Sequence, residues 1–450
     1  MQTKELAAYL VQMNYDAMSD RTRSVVKKTV LDILGVAIAG SATKEAEIWQ
    51  KYFLSYSTSE SRASVWTKGL PSAGYRQAAG VNAAWGHILD FDDVHNLAIA
   101  HLGVVTVPGA LAIAQSRHLS GTALMEGVAA GFEIGARVGH AINPSSYRFW
   151  HTTAVVGALS TCAAAGRLMN LSSDKMVHAL GSAGTQAAGL WEFMSDGAMS
   201  KPLHTANATL CGIRSAELAE LGLTGASRIL EGDQGLLRAL SQEYHPERLT
   251  EGLGGEYMIS GNSFKLYPCC RHIHSAIYNM DKLLRNHRIS PEQVRQIRSC
   301  TYDTAKNLTD RLQPATAYAC KFSTQYCLSA ILNRGGYDIG IFDAESMENP
   351  SIRALMPKVI VVSDSEMNAK IAADSTCWGN RLEIELHDGT VLAESTDYPP
   401  GDSHIPFPWE DALQKFHALS DPVIGHERAV LLAERISQLD QLDDVNSIFH

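Results

Sequence analysis

Residues 87–101, HILDFDDVHNLAIAH, hold three aspartates (Asp90, Asp92, Asp93) and three histidines (His87, His95, His101) between alanine-rich apolar stretches. Three arrangements account for such a density of titratable groups: a metal site, a set of helix caps, or an acid–base site for a charged small molecule. A tight metal site needs ligands that converge. These histidines follow neither HExxH nor HxH spacing, so no metal is expected. Aspartates cap helix ends often, but caps require no histidines. A carboxylate that fixes one imidazole tautomer and raises its basicity is what proton transfer requires.

Three histidines stand where apolar helices should begin. His101 precedes LGVVTVPGALAIA, His151 precedes TTAVVGALSTCAAAG, and His204 follows Ser200-Lys201-Pro202. Backbone N–H groups and the helix dipole favour anions at such termini. Lys201 and His204 are three apart and share a helix face. A lone histidine is more often a satisfied core residue, but three at helix starts, one with a lysine, favour a site for carboxylates. FKLYPCCRHIHSAI (264–277) adds Lys265, Arg271, His272 and His274, which line a cleft or form a solvated turn. Cys269 and Cys270 read as a buried thiol pair. Tyr326, on an otherwise apolar helix, reads by itself as core.

These groups need a rigid frame, and the chain is long enough for two domains: 450 residues, 45% apolar and 19% charged. Residues 1–235 read as helix almost throughout, many helices being rich enough in Ala and Gly to approach closely. In RTRSVVKKTVLDILGVAIAG, residues Val25, Val26, Thr29, Ile33 and Val36 recur near the helical period, with Gly40 as a stop. Further on, Ser290-Pro291 starts a helical turn that leads into a strand, and KVIVVSD (358–364) has strand composition. Leu382, Ile384 and Leu386 alternate with Glu383 and Glu385 before the turn signal Asp388-Gly389. The tail returns to helix with Leu431, Leu432 and Ile436 as its apolar face. The expected fold is mainly α with a smaller α+β domain: helical over 1–265, α+β over 266–400, and helices of 401–450 returning to the helical part.

The net charge of −10 disfavours nucleic acid and anionic membranes as partners. No apolar run reaches the roughly eighteen residues of a membrane span, and the start reads as an amphipathic mature N-terminus rather than a signal peptide. Eight scattered cysteines with no CxxC pair suit reduced thiols in the cytoplasm.

Taken in order, LDFDDVH…H, WHTTAVVG, MSKPLH, FKLYPCCRHIH and KFSTQYCLSAIL resemble the MmgE/PrpD family across nearly the whole chain. That family includes 2-methylcitrate dehydratase, cis-aconitate decarboxylase and iminodisuccinate epimerase. The resemblance implies a large helical domain with a smaller α+β lid domain, a homodimer, and catalysis with no metal or organic cofactor. It also implies Asp93, His101, His151, Lys201, Lys265 and Tyr326 as catalytic positions, and a matching histidine at His274. Val94 stands where the family often has threonine and Leu102 where it often has proline; GLWEFMSDGAMSK also differs from the decarboxylases.

Both lines lead to a cofactor-independent lyase acting on a small di- or tricarboxylate. Lys201, Lys265 and Arg271 neutralise the substrate, with His204 and His274 as further substrate contacts. His101 or His151 moves the carbon-bound proton, with Asp93 orienting it. An epimerase or isomerase of a dicarboxylate is the alternative, and a catalytically silent carboxylate binder is the third. Removing His151 or Lys201 is expected to cost little in folding.

Overall fold

The computed structural model describes residues 1–55, 62–337 and 339–450. The protein is mainly α with a smaller α+β part, and the chain divides into two compact units. The first comprises residues 1–193, 199–264 and 408–450; the second comprises residues 194–198 and 265–407.

In the first unit the longest early helix is α1 (Asp20–Ser41), begun by the Ser19 side chain accepting from the Thr22 amide. Val25, Val26, Thr29, Ile33 and Val36 are all buried, as their spacing requires. The helices that follow are α2 (Tyr75–Ile88), α3 (Leu102–Ser116), α4 (Gly121–Ile142), α5 (Thr152–Leu168) and α6 (Lys201–Glu220). Helix α3 is apolar all round, and every residue from Leu102 to Gln115 is buried, so it runs through the core. Helix α5 packs against α3, α4 and α6. Small residues permit these close crossings: a Cβ on Gly212 of α6 would come within 2.6 Å of the Cys162 backbone nitrogen on α5. Among the described residues no helix is long and apolar enough to cross a membrane.

The second unit is built on a four-stranded sheet of β3 (Val294–Thr301), β4 (Val359–Ser363), β5 (Asn380–Leu386) and β6 (Val391–Thr396), in the order β4-β3-β5-β6. The numbering counts β1 (Val94–His95) and β2 (Asn262–Ser263), a short antiparallel pair in the first unit that joins Val94 to Ser263. Strand β3 runs parallel to β4 and antiparallel to β5. Leu382 and Ile384 are buried while Glu383 and Glu385 lie half-buried on the other face. Gly389, at φ +89°, makes the hairpin turn into β6. Helix α7 (His274–Asn286) packs on β5 and β6, and α8 (Thr324–Arg334) packs on α7.

Two helices end the chain in the first unit, α9 (Trp409–Ile424) and α10 (His426–Ser437). Leu432 and Ile436 are buried, but Leu431 is 58% exposed. The expected apolar face is therefore narrower by one residue: Leu431 lies one helical step, about 100°, from Leu432 and off the buried stripe.

Candidate active site

His87 lies in the last turn of α2, and the chain then turns sharply through Asp90, whose φ is +53°. Lys415 of α9, buried and paired with Asp32 at 2.6 Å, donates to the Phe91 carbonyl at 2.8 Å and so fastens that turn. Such fixing matters because Asp90 holds a left-handed conformation that non-glycine residues adopt at a cost.

The three aspartates take three different partners. Asp90 Oδ1 accepts from Lys201 Nζ at 2.7 Å. Asp92 Oδ2 lies 2.8 Å from His87 Nδ1 and 3.1 Å from His101 Nδ1. Asp93 instead receives the Gly103 amide, at 3.1 and 3.0 Å to its two oxygens, at the start of α3. A Cβ at residue 103 would come within 2.5 Å of that carboxylate, so this arrangement needs glycine. The geometry differs from the expectation that Asp93 orients an imidazole: Asp92 lies against His87 and His101, and Asp93 caps a helix.

His101 and His151 are the residues immediately before α3 and α5, and Lys201 is the first residue of α6. His151 Nδ1 lies 3.0 Å from His204 Nδ1. Its ring stacks with His87 at 5.7 Å between centroids, and Trp191 lies 4.7 Å away. The helical unit therefore brings together His87, Asp90, Asp92, His101, His151, Lys201 and His204. Asp90, Asp92 and Trp191, which the structure places against these groups, were not among the expected site residues; the first two stood in the HILDFDDVHNLAIAH cluster, and the third in the divergent GLWEFMSDGAMSK.

Burial and charge set the protonation of this cluster. Burial alone would raise the Asp92 carboxyl, but the His87 and His101 imidazoles hold it well below its ordinary value. Burial raises Asp93 well above its ordinary value, reinforced by Asp92 and Asp32. Burial pushes His87 down to about 3, and Lys201 adds to this against the pull of Asp92. Burial followed by Lys201 lowers His151 well below its usual range, and the same two causes bring His204 to about 4.

His87, Asp90, Asp92 and His101 offer donor atoms within 4.8 Å of one another. The convergence that the sequence spacing did not reveal is therefore present. The Lys201 ammonium already supplies the positive charge beside Asp90, and a divalent ion in the same place would be repelled by it.

The remaining expected residues lie in the second unit. Lys265 is buried. Arg271 pairs with Asp402 at 3.0 Å and lies 3.0 Å from His274 Nδ1. Tyr326 is fully buried in that unit's core and donates its hydroxyl hydrogen to the Ile341 carbonyl. Its only proton is thus committed to the backbone, which fits the core reading of this tyrosine better than a catalytic one.

Residues 4–249 match the MmgE/PrpD N-terminal domain, and residues 267–440 match the MmgE/PrpD C-terminal domain. The chain belongs to the MmgE/PrpD family. It is 26% identical to the cis-aconitate decarboxylase of Homo sapiens over 98% of this chain and 92% of that protein. It is 28% identical to the cis-aconitate decarboxylase of Aspergillus terreus, over 82% of this chain and 80% of the relative. A mitochondrial 2-methylcitrate dehydratase of Yarrowia lipolytica is 28% identical over 33% of this chain and 30% of its own length. The protein is a lyase of the MmgE/PrpD type.

The lowered histidines make stability pH-dependent. His95, pushed by burial to about 4 although it bonds the Met258 carbonyl at 2.8 Å, lies outside the His–Asp–Lys cluster. Below the ordinary imidazole value of about 6.5, the unfolded chain binds a proton that the folded chain refuses. Stability is therefore full above pH ~6.5 and declines as pH falls toward 4, by up to about 1.4 kcal/mol per pH unit for each such histidine. Urea titrations between pH 7.5 and 4.5 should show this slope, and His95→Gln should reduce it. An unchanged slope in that variant contradicts the assignment.

Proposed function

We propose that this lyase removes carbon dioxide or water from a small di- or tricarboxylate of the cis-aconitate class by histidine acid–base chemistry without a cofactor. The observation that carries this reading is the buried Asp92 carboxylate shared by His87 and His101, with the Lys201–Asp90 ion pair beside it. An ionised Asp92 facing His101 Nδ1 favours the tautomer with the proton on that nitrogen, leaving Nε2 as the basic atom. His151 binds His204 through Nδ1, while its buried Nε2 has no hydrogen-bond partner among the described residues, so Nε2 is the atom assigned to proton transfer. Lys201, at the start of α6, stabilises a substrate carboxylate and the negative charge that develops as carbon dioxide or hydroxide departs. Lys265, Arg271 and His274 remain proposed substrate contacts on the family resemblance. We place the protein in the cytoplasm, as its eight buried cysteines suit.

The test is turnover on cis-aconitate, 2-methylcitrate and iminodisuccinate before and after exhaustive chelation. The expected result is lyase activity on one of the first two that survives EDTA. No turnover on either contradicts the substrate class, and activity abolished by EDTA and restored by a divalent ion contradicts cofactor independence. A homodimer joined through the helical unit is also expected. A monomer in sedimentation at micromolar concentration contradicts that part.

A further inference from the structure

We propose that His417, Asp421 and His426 form a binding site for one divalent ion of the zinc class, separate from the acid–base cluster. His417 and Asp421 are four apart on α9, so both lie on one helix face. Gly425, at φ +85°, bends the chain between α9 and α10 and returns His426 over Asp421. The two oxygens of Asp421 each face one imidazole: His417 Nδ1 lies 2.8 Å from Oδ1 and His426 Nδ1 lies 2.8 Å from Oδ2. The rings are 5.2 Å apart, and the three donor atoms lie within 4.8 Å of one another.

A zinc ion bound at about 2.0–2.2 Å to nitrogen and oxygen places neighbouring tetrahedral donors roughly 3.3 Å apart. The observed 2.8 Å contacts therefore need to open by only about half an ångström to admit the ion. Two imidazoles and one carboxylate are a donor set for zinc, cobalt(II) or nickel(II); calcium and magnesium prefer oxygen alone. The side chains of His417, Asp421 and His426 are 21%, 28% and 70% exposed, so an ion can enter and the fourth position stays open to water. The bound ion would tie α10 to α9, the helix that carries Lys415 to the Phe91 carbonyl.

The full-length protein, stripped with EDTA, is titrated with Zn²⁺ by calorimetry and with Co²⁺ by visible absorption. One equivalent should bind, the cobalt form should show the intense visible bands of a four-coordinate site, and Zn²⁺ should raise Tm. Asp421→Asn and His417→Ala should each weaken binding by at least about 10–100-fold, the range that changes behind the ligands already reach. His426→Gln, at the most exposed of the three positions, should do the same with the fold intact by circular dichroism. No binding up to millimolar Zn²⁺, or an equivalent that survives all three substitutions, overturns the proposal. Turnover after chelation is a separate measurement, so this site and the proposed lyase chemistry fail independently.

Discussion

His151→Ala lowers kcat by roughly 10²–10⁴-fold, the usual contribution of a positioned general acid or base, with a much smaller change in KM. The expectation follows from the placement of one ring. His151 is fixed at the head of α5, bonded through Nδ1 to His204, and packed against His87 and Trp191. Its Nε2 is the buried imidazole nitrogen assigned to the proton. Folding suffers modestly, because the partner nitrogen left on half-buried His204 can be hydrated. Steady-state kinetics and thermal unfolding on the same preparation check this. Near-normal kcat together with a lowered Tm makes His151 structural and leaves the proton with His101.

Lys201→Ala combines a loss of activity with a large loss of stability. The sequence alone suggested little cost in folding, since removing a pocket cation leaves fewer like charges together. The ion pair reverses that expectation: Asp90 is 1% exposed, and Lys201→Ala takes away the ammonium 2.7 Å from its buried carboxylate. Breaking such a pair from one side costs about 3–5 kcal/mol. The double variant Lys201→Met with Asp90→Asn removes both charges and should regain most of that stability while activity stays low. Denaturant unfolding and kinetics on both variants separate the two roles. If Lys201→Ala alone unfolds like the wild type, the Asp90–Lys201 pair does not support the fold.

The sequence shows clearly whatever a simple period controls. The buried residues of α1, the alternation along β5 and the Asp388-Gly389 turn all follow from side-chain geometry within one element. The positions of His101, His151 and Lys201 at helix starts were legible for the same reason. Asp90, Asp92 and Asp93 lie in an irregular turn with no period to decide which way each carboxylate points. Their partners are set by the left-handed backbone at Asp90 and by Lys201 and Gly103, brought in from α6 and α3. The resemblance named Asp93, and the turn instead aims Asp92 at the imidazoles. Tyr326 shows the opposite case: its apolar helical setting read as core, and its bond to the Ile341 carbonyl agrees. Leu431 marks the limit of reading an apolar face from hydropathy alone.

The central claim is that a buried imidazole moves a carbon-bound proton on a small carboxylate, and proton NMR in heavy water tests it most directly. Purified enzyme is incubated with cis-aconitate and with 2-methylcitrate in deuterium oxide. The account predicts a product formed by loss of carbon dioxide or water, with solvent deuterium at the carbon protonated in decarboxylation, and a rate that collapses in His151→Ala. Substrates that remain unchanged and free of deuterium under wild-type enzyme, while still binding to it, would contradict the account and leave a carboxylate-binding protein.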